Sequence, residues 1–341
     1  EDAPPCAIKK IRKMSPANVG AVAREVSLMR TLRGGEGLVQ LLDVFEDDAA
    51  IYLALEYIPG GDLCKAISKR KSYTESHVKH MLQQLVQALA FVHEHRVIHL
   101  DLKPDNIMCV NSGEEWDHFS LKITDFGVSK LLQPGETLTR LVGTPLFSAP
   151  EVHRGEPYSF PADVWSLGAI LHVLLVGQGP YDDCRDKQVL YDRMRAGSIL
   201  FSSPTWALLS DQAREVVQVL CHEDPDQRIP RLDQLLDHPW LAFVSEEVEH
   251  SNGHHGQATL QQDQRTITAS KDASQELSHD ETADDVDRIM LGSTVRDIAV
   301  YAERQTRIKG LVRAVLHGST EARASEDSEA PPLSDGGGGG G

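Results

Sequence analysis

The sequence predicts an α+β chain in two lobes, a small, incomplete β lobe followed by a larger, mainly helical one. Three observations lead there. Ile51-Tyr52-Leu53-Ala54-Leu55-Glu56-Tyr57 alternates like a half-buried strand. Glu75 to His95 instead repeats its apolar residues at the 3.6-residue period of a long helix. At 341 residues the chain exceeds one average domain and can bury a large core, with two lobes as the natural split.

Taken in order, Ala7-Ile8-Lys9 lies in a β-branched and apolar run that reads as a strand, and Val19 to Leu32 is a helical stretch that carries Glu25. Gly34-Gly35-Glu36-Gly37 is a turn. After the strand at 51–57 and the helix at 75–95 comes His99-Leu100-Asp101-Leu102-Lys103-Pro104-Asp105-Asn106. A second acidic turn, Asp125-Phe126-Gly127, follows at a distance that one β-hairpin would fill. Residues 1–58 form the small lobe and its link, and residues 59–245 the large lobe. Residues 246–287 read as a flexible acidic linker, 288–317 as a basic amphipathic helix and 318–341 as an unstructured glycine-rich tail.

The two acidic motifs supply an acid–base carboxylate, a lysine and two oxygen ligands for Mg²⁺, the equipment for moving a phosphoryl group. Such transfer from ATP needs little covalent help. The protein aligns a hydroxyl with the γ-phosphate and neutralises charge on its oxygens. Asp101 would accept the hydroxyl proton, and Lys103 would sit beside the γ-phosphate in a loop that Pro104 keeps out of the helical region. Asn106 and Asp125 offer hard oxygen ligands suited to nucleotide-bound Mg²⁺.

With these residues in this order, the chain resembles a eukaryotic protein kinase catalytic domain from residue 1 to about residue 245. The resemblance implies that Lys9 holds the α- and β-phosphates with Glu25 as its ion-pair partner, and that the backbone of Glu56 to Ile58 reads adenine. Leu55 would set the depth of that pocket, Ala7 and Met108 would bracket the ring, and Asp62 would meet the ribose and attract basic residues upstream of the acceptor. Leu41, Met29, His99 and Phe126 would stack from one lobe into the other, above Asp163 of the buried helix that begins Asp163-Val164-Trp165. Ala149-Pro150-Glu151 would close the activation segment, with Arg228 paired to Glu151. Lys103 and Gly143-Thr144-Pro145 resemble Ser/Thr kinases, with Thr144 bonded to Asp101 and Lys103.

Two departures from the family matter. Leu100 stands where most kinases carry the arginine that reads a phosphate on the activation loop. The enzyme is therefore expected not to need that phosphate, although Thr137 and Thr139 are available. This feature, with Gly143 to Glu151 and His238-Pro239-Trp240, resembles the calcium/calmodulin-regulated group, especially myosin light chain and death-associated kinases. The second departure is that no G-x-G-x-x-G precedes Lys9, so the chain reads as an N-terminally incomplete fragment with an open sheet edge. A catalytically silent, kinase-like scaffold is the competing function, and an upstream glycine loop would argue against it.

The net charge of −17 would repel nucleic-acid phosphate. The five cysteines, Cys6, Cys64, Cys109, Cys184 and Cys221, lack a C-x-x-C pair and read as reduced, mostly buried thiols. With no signal peptide and no run of eighteen apolar residues, a cytoplasmic, soluble protein is expected. The polar tract holding His250, His254 and His255 reads as solvated rather than metal-binding. Residues 288–316 carry Arg288, Arg296, Arg304, Arg307, Lys309 and Arg313, with Ile298, Tyr301, Ile308, Val312 and Val315 near one helical face. The resemblance makes this a calmodulin-binding, autoinhibitory segment. Packing on the large lobe, pairing with another chain and attachment to a membrane surface stay open beside it.

Overall fold

The computed structural model describes residues 5–70, 73–111, 119–199, 201–242, 298 and 301. The expected linker, the polar histidine tract, the glycine-rich tail and most of the basic segment lie outside the described residues.

The small lobe is a three-stranded antiparallel sheet covered by one helix. Strands β1 (Cys6–Arg12), β2 (Leu41–Glu46) and β3 (Ala50–Glu56) pair in the order β1-β3-β2, with Lys9 opposite Leu53. β1 is an edge, and its Ile8 is 54% exposed. Helix α1 (Pro16–Thr31) starts three residues before the helical stretch read from the sequence. Ser15 caps it by accepting from Asn18 N, and Pro16 occupies the first turn, where its missing N–H costs nothing. Val22 and Val26 pack on Ile51 and Leu53, which turns Glu25, on the same buried side of α1, toward β1.

The large lobe is built on two helices. Helix α2 (Leu63–Ser68) precedes α3 (Glu75–Glu94), which Thr74 and His77 cap reciprocally and which buries Val78, Met81, Leu82, Leu85, Val86, Leu89 and Val92. Short strands β4 (Val97–Ile98), β5 (Ile107–Cys109), β6 (Leu121–Ile123) and β7 (Lys130–Leu131) follow. β5–β6 is the antiparallel pair expected between the two acidic motifs. After α4 (Pro150–Arg154) comes α5 (Pro161–Val176), apolar all round and buried from Ala162 to Val176, as a central helix must be. Helices α6 (Lys187–Ala196), α7 (Asp211–Leu220) and α8 (Pro239–Ala242) complete the lobe.

One apolar core joins the lobes. Met29 and Leu38 of the small lobe share it with Phe126, and Leu41 packs against it. The His99 and Phe126 rings meet edge-on with centroids 5.0 Å apart. Cys64, Cys109 and Cys221 are buried and Cys184 half-buried, whereas Cys6 is exposed on the edge strand. Burial pushes the Cys109 thiol up to about 12, which makes it inert at neutral pH. Among the described residues no helix is long and apolar enough to cross a membrane.

Glu151 and Arg228 form the ion pair anticipated between the activation segment and the end of the lobe. Arg228 Nη1 and Nη2 donate to the two carboxylate oxygens at 2.7 and 2.8 Å, both side chains are buried, and Arg228 also donates to the carbonyls of Pro161 and His222. Removing one partner strands a buried charge. Arg228→Ala is therefore expected to destabilise the chain by about 3 kcal/mol or more, measured by urea unfolding.

Candidate active site

The catalytic loop is held from below by α5. Asp163, at the start of that helix, accepts from His99 N at 2.7 Å and from Leu100 N at 2.9 Å. Its Oδ2 also meets His93 Nε2 at 2.9 Å. Burial alone would raise the Asp163 pKa, but the bond and charge of His93, with help from His99, hold it below the ordinary carboxylate range. Leu100 takes a φ of +70°, a cost accepted because both its neighbours are fixed, and the chain then delivers Asp101.

Asp101, Lys103, Asn106 and Thr144 form one bonded group. Lys103 Nζ donates to Asp101 Oδ2 at 2.6 Å and to Thr144 Oγ1 at 2.8 Å, while Thr144 Oγ1 donates to Asp101 Oδ1 at 2.6 Å. Asn106 Nδ2 donates to the Asp101 backbone carbonyl at 2.8 Å and to its carboxylate at 3.1 Å. Thr144 reaches the group because Gly143, at φ +87°, passes against the Leu100 carbonyl. A Cβ there would stand 2.1 Å from that oxygen.

Lys9 and Asp125 bring the small lobe to this group. Lys9 Nζ lies 2.7 Å from both Glu25 Oε1 and Asp125 Oδ1. Burial would lower the lysine pKa, yet the bonds to Asp125 and Glu25 outweigh it and hold the ammonium above its ordinary value. Asp125 shifts the opposite way: burial opposes ionisation, and Lys9 overrides it. The Lys9–Glu25 pair was expected, whereas the Asp125 bond was not.

The donor chemistry fits Mg²⁺. Fixing the Asn106 amide nitrogen on Asp101 leaves its carbonyl oxygen as a ligand atom, and Asp125 offers a carboxylate as the second. Two such oxygens suit an ion that takes its remaining ligands from phosphates and water. Among the described residues no group of three or more His, Cys, Asp or Glu could hold a metal ion.

Strand pairing assembles the expected nucleotide residues in two sets. Ala7 lies opposite Leu55, with Cys6 opposite Glu56, and Met108 bridges Asp62. The link from β3 to α2 runs through buried Ile58 and through Gly60, whose N–H donates to the Cys109 carbonyl of β5 at 3.0 Å. Side-chain roles that sequence reasoning missed appear here. Glu56 Oε1 pairs with Lys122 at 2.6 Å, and Asp62 caps α2 by accepting from Lys65 N at 3.0 Å while its other oxygen meets Lys65 Nζ at 2.8 Å. The helix after Asp62 was the available signal for that cap. Lys65 is 74% exposed, so its hold on Asp62 is weak.

The activation segment is latched by apolar packing. Leu138 exchanges two 2.8 Å backbone bonds with Tyr158 and packs with Leu100, Leu132, Ala149, Val152, Ala162 and Trp165. Thr137 and Thr139, on either side of it, are exposed. The leucine that replaces the phosphate-reading arginine is thus a member of the cluster that holds the segment.

A sheet lobe and a helical lobe that share a lysine–carboxylate pair and an Asp–Lys–Asn loop define a phosphotransferase site of the kinase type. A protein kinase domain model matches residues 1–241, and the chain belongs to that family. It is 35% identical over 239 residues to a probable myosin light chain kinase of Dictyostelium discoideum, which is 69% of this chain and 59% of that protein. A calcium-dependent protein kinase of Oryza sativa subsp. japonica is 36% identical over 255 residues, 75% of this chain and 45% of its own length. A calcium/calmodulin-dependent protein kinase type 1 of Caenorhabditis elegans is 35% identical over 222 residues, 65% of this chain and 62% of its own length. The chain spans about half the length of the curated relatives it matches.

His99 is fully buried, and burial pushes its pKa down, so it is neutral and structural; His153 shifts the same way for the same reason. A histidine whose folded pKa lies below its unfolded value near 6.5 stabilises the fold above that pH and opposes it as pH falls through it. Unfolding free energy is accordingly expected to fall between pH 7.5 and pH 5.5, by up to about 1.4 kcal/mol per pH unit for each such histidine. Urea titrations at the two pH values, with His153→Gln reducing the slope, check this.

Proposed function

We propose that this protein transfers the γ-phosphoryl group of ATP to Ser or Thr hydroxyls of protein substrates. The observation that carries this reading is Lys9 held between Glu25 and Asp125 while Asp101, Lys103 and Thr144 are bonded to one another. Lys9 binds the α- and β-phosphates; Ala7, Ile58, Met108 and the backbone of Glu56 take adenine; Asp62 exchanges Lys65 for the ribose or a substrate arginine. Asn106 and Asp125 would hold Mg²⁺, which when bound would neutralise charge on the phosphate oxygens. Asp101 orients the acceptor hydroxyl and takes its proton, and Lys103 steadies the transferring group.

Calmodulin is proposed as the regulator, acting on the basic segment at 288–317. The support is that segment's charge and apolar spacing, together with the calcium-linked names of the relatives. A cytoplasmic setting belongs to the same proposal.

Phosphate transfer from labelled ATP to a basic serine peptide tests the catalytic reading. Asp125→Ala is expected to lower the rate at least about a hundredfold in folded protein. No transfer above that variant would favour the scaffold reading. Thr137→Ala with Thr139→Ala is expected to leave activity within about twofold, because no arginine waits at position 100 to read a phosphate. For the tail, a peptide of residues 286–318 is expected to bind calcium-loaded calmodulin at micromolar concentration or tighter, and isothermal titration measures it.

A further inference from the structure

Two residues of the basic segment are buried in the large lobe. Ile298 is 0% and Tyr301 2% exposed, both are helical, and both join the core formed by α3, α5 and α7. Residues three apart on a helix share a face, so the pair is a single apolar anchor. The receiving surface is the turn after α5. Gly177 caps that helix at φ +73°, and Gly179 N donates to Asp182 Oδ2 at 3.0 Å. A Cβ on Gly179 would stand 3.1 Å from Tyr301 Cε2 and 2.8 Å from Asp182 Oδ1, so a larger residue would have to push the ring back by about a few tenths of an ångström and turn the aspartate aside.

We propose that the turn Gly177–Asp182 is a docking site for this chain's own C-terminal segment, filled by Ile298 and Tyr301. The catalytic unit then does not end with α8; it is closed by a helical Ile-x-x-Tyr pair that returns from beyond residue 297. The position of the site sets its role. Asp163, which holds the catalytic loop, is at one end of α5 and Gly177 is just past the other. Fourteen residues of helix rise separate them, about 20 Å. The anchor therefore tethers the segment at the end of α5 remote from Asp163. A partner that takes the face bearing Ile298 and Tyr301 has to withdraw both from the core first.

The inference does not depend on phosphotransfer, because its readout is hydrogen exchange in the full chain. Amides at 177–182 and 298–301 are expected to be protected. Ile298→Ala with Tyr301→Ala should speed exchange at 177–182 at least tenfold while α3 stays protected, and Tyr301→Phe should preserve the protection. Gly179→Val, with the segment intact, should release 298–301. Free exchange of 298–301 in the wild-type chain would overturn the proposal, as would a turn indifferent to the double variant. Protection that grows with protein concentration would also overturn it, since the segment would then come from a second copy.

Discussion

The active geometry depends on one buried carboxylate. Asp163 is fully buried, and it remains charged because three donors converge on it: two backbone N–H groups of the catalytic loop and the His93 ring. Burying an isolated charge costs several kcal/mol, so the donors and the charge stand or fall together. The consequence is local rigidity. With His99 N and Leu100 N pinned, Leu100 can be kept at positive φ, its carbonyl is presented to Gly143, and the turn that follows brings Thr144 to Asp101 and Lys103. A carboxylate on α5 thus controls a hydroxyl on the activation segment through two close backbone approaches.

The second constraint crosses the lobes. Lys9 belongs to a sheet edge, Glu25 to α1 and Asp125 to the turn after β6, and no local rule brings them together. Their meeting requires Val22 and Val26 to seat α1 on the sheet and Met29 to reach the core that contains Phe126. Packing and charge reinforce each other here. The apolar stack sets the distance between lobes, and the lysine, held charged by two carboxylates, fixes the small lobe against the acidic turn.

Much of this was legible in the sequence where chemistry and spacing coincide. The hairpin between the two motifs follows from their spacing, while the pairing of Lys9 with Glu25, the Thr144 bridge, the Glu151–Arg228 pair and the Asp163 support of His99 were implied by the resemblance to the kinase family that those motifs carry. What escaped depends on geometry that motif order does not carry. The start of α1 was misplaced because the Ser15 cap lies outside its apolar period. Asp62, read as meeting the ribose, also caps its own helix by accepting from Lys65 N, a role the motif did not announce. Glycine-rich spacing suggested a turn at 34–37 but gave no hint of Gly179, whose reason is a ring contributed from 122 residues later.

Leu100 shows how a missing charge becomes a structural statement. An arginine at this place is useful only when a phosphate arrives to pair with it, and until then it is a cation with a desolvation cost. Leucine cannot make that pair and instead enters the cluster with Leu138, Tyr158 and Trp165. Burial of a leucine contributes on the order of 2 kcal/mol whether or not anything is phosphorylated. The exposed Thr137 and Thr139 flank Leu138, the residue that the cluster buries, so the stretch that offers hydroxyls to solvent is held by the side chain between them. Order in the activation segment therefore comes from the fold itself. On the proposed reading, control of this chain is expected at the cleft or at the segment proposed to dock through Tyr301.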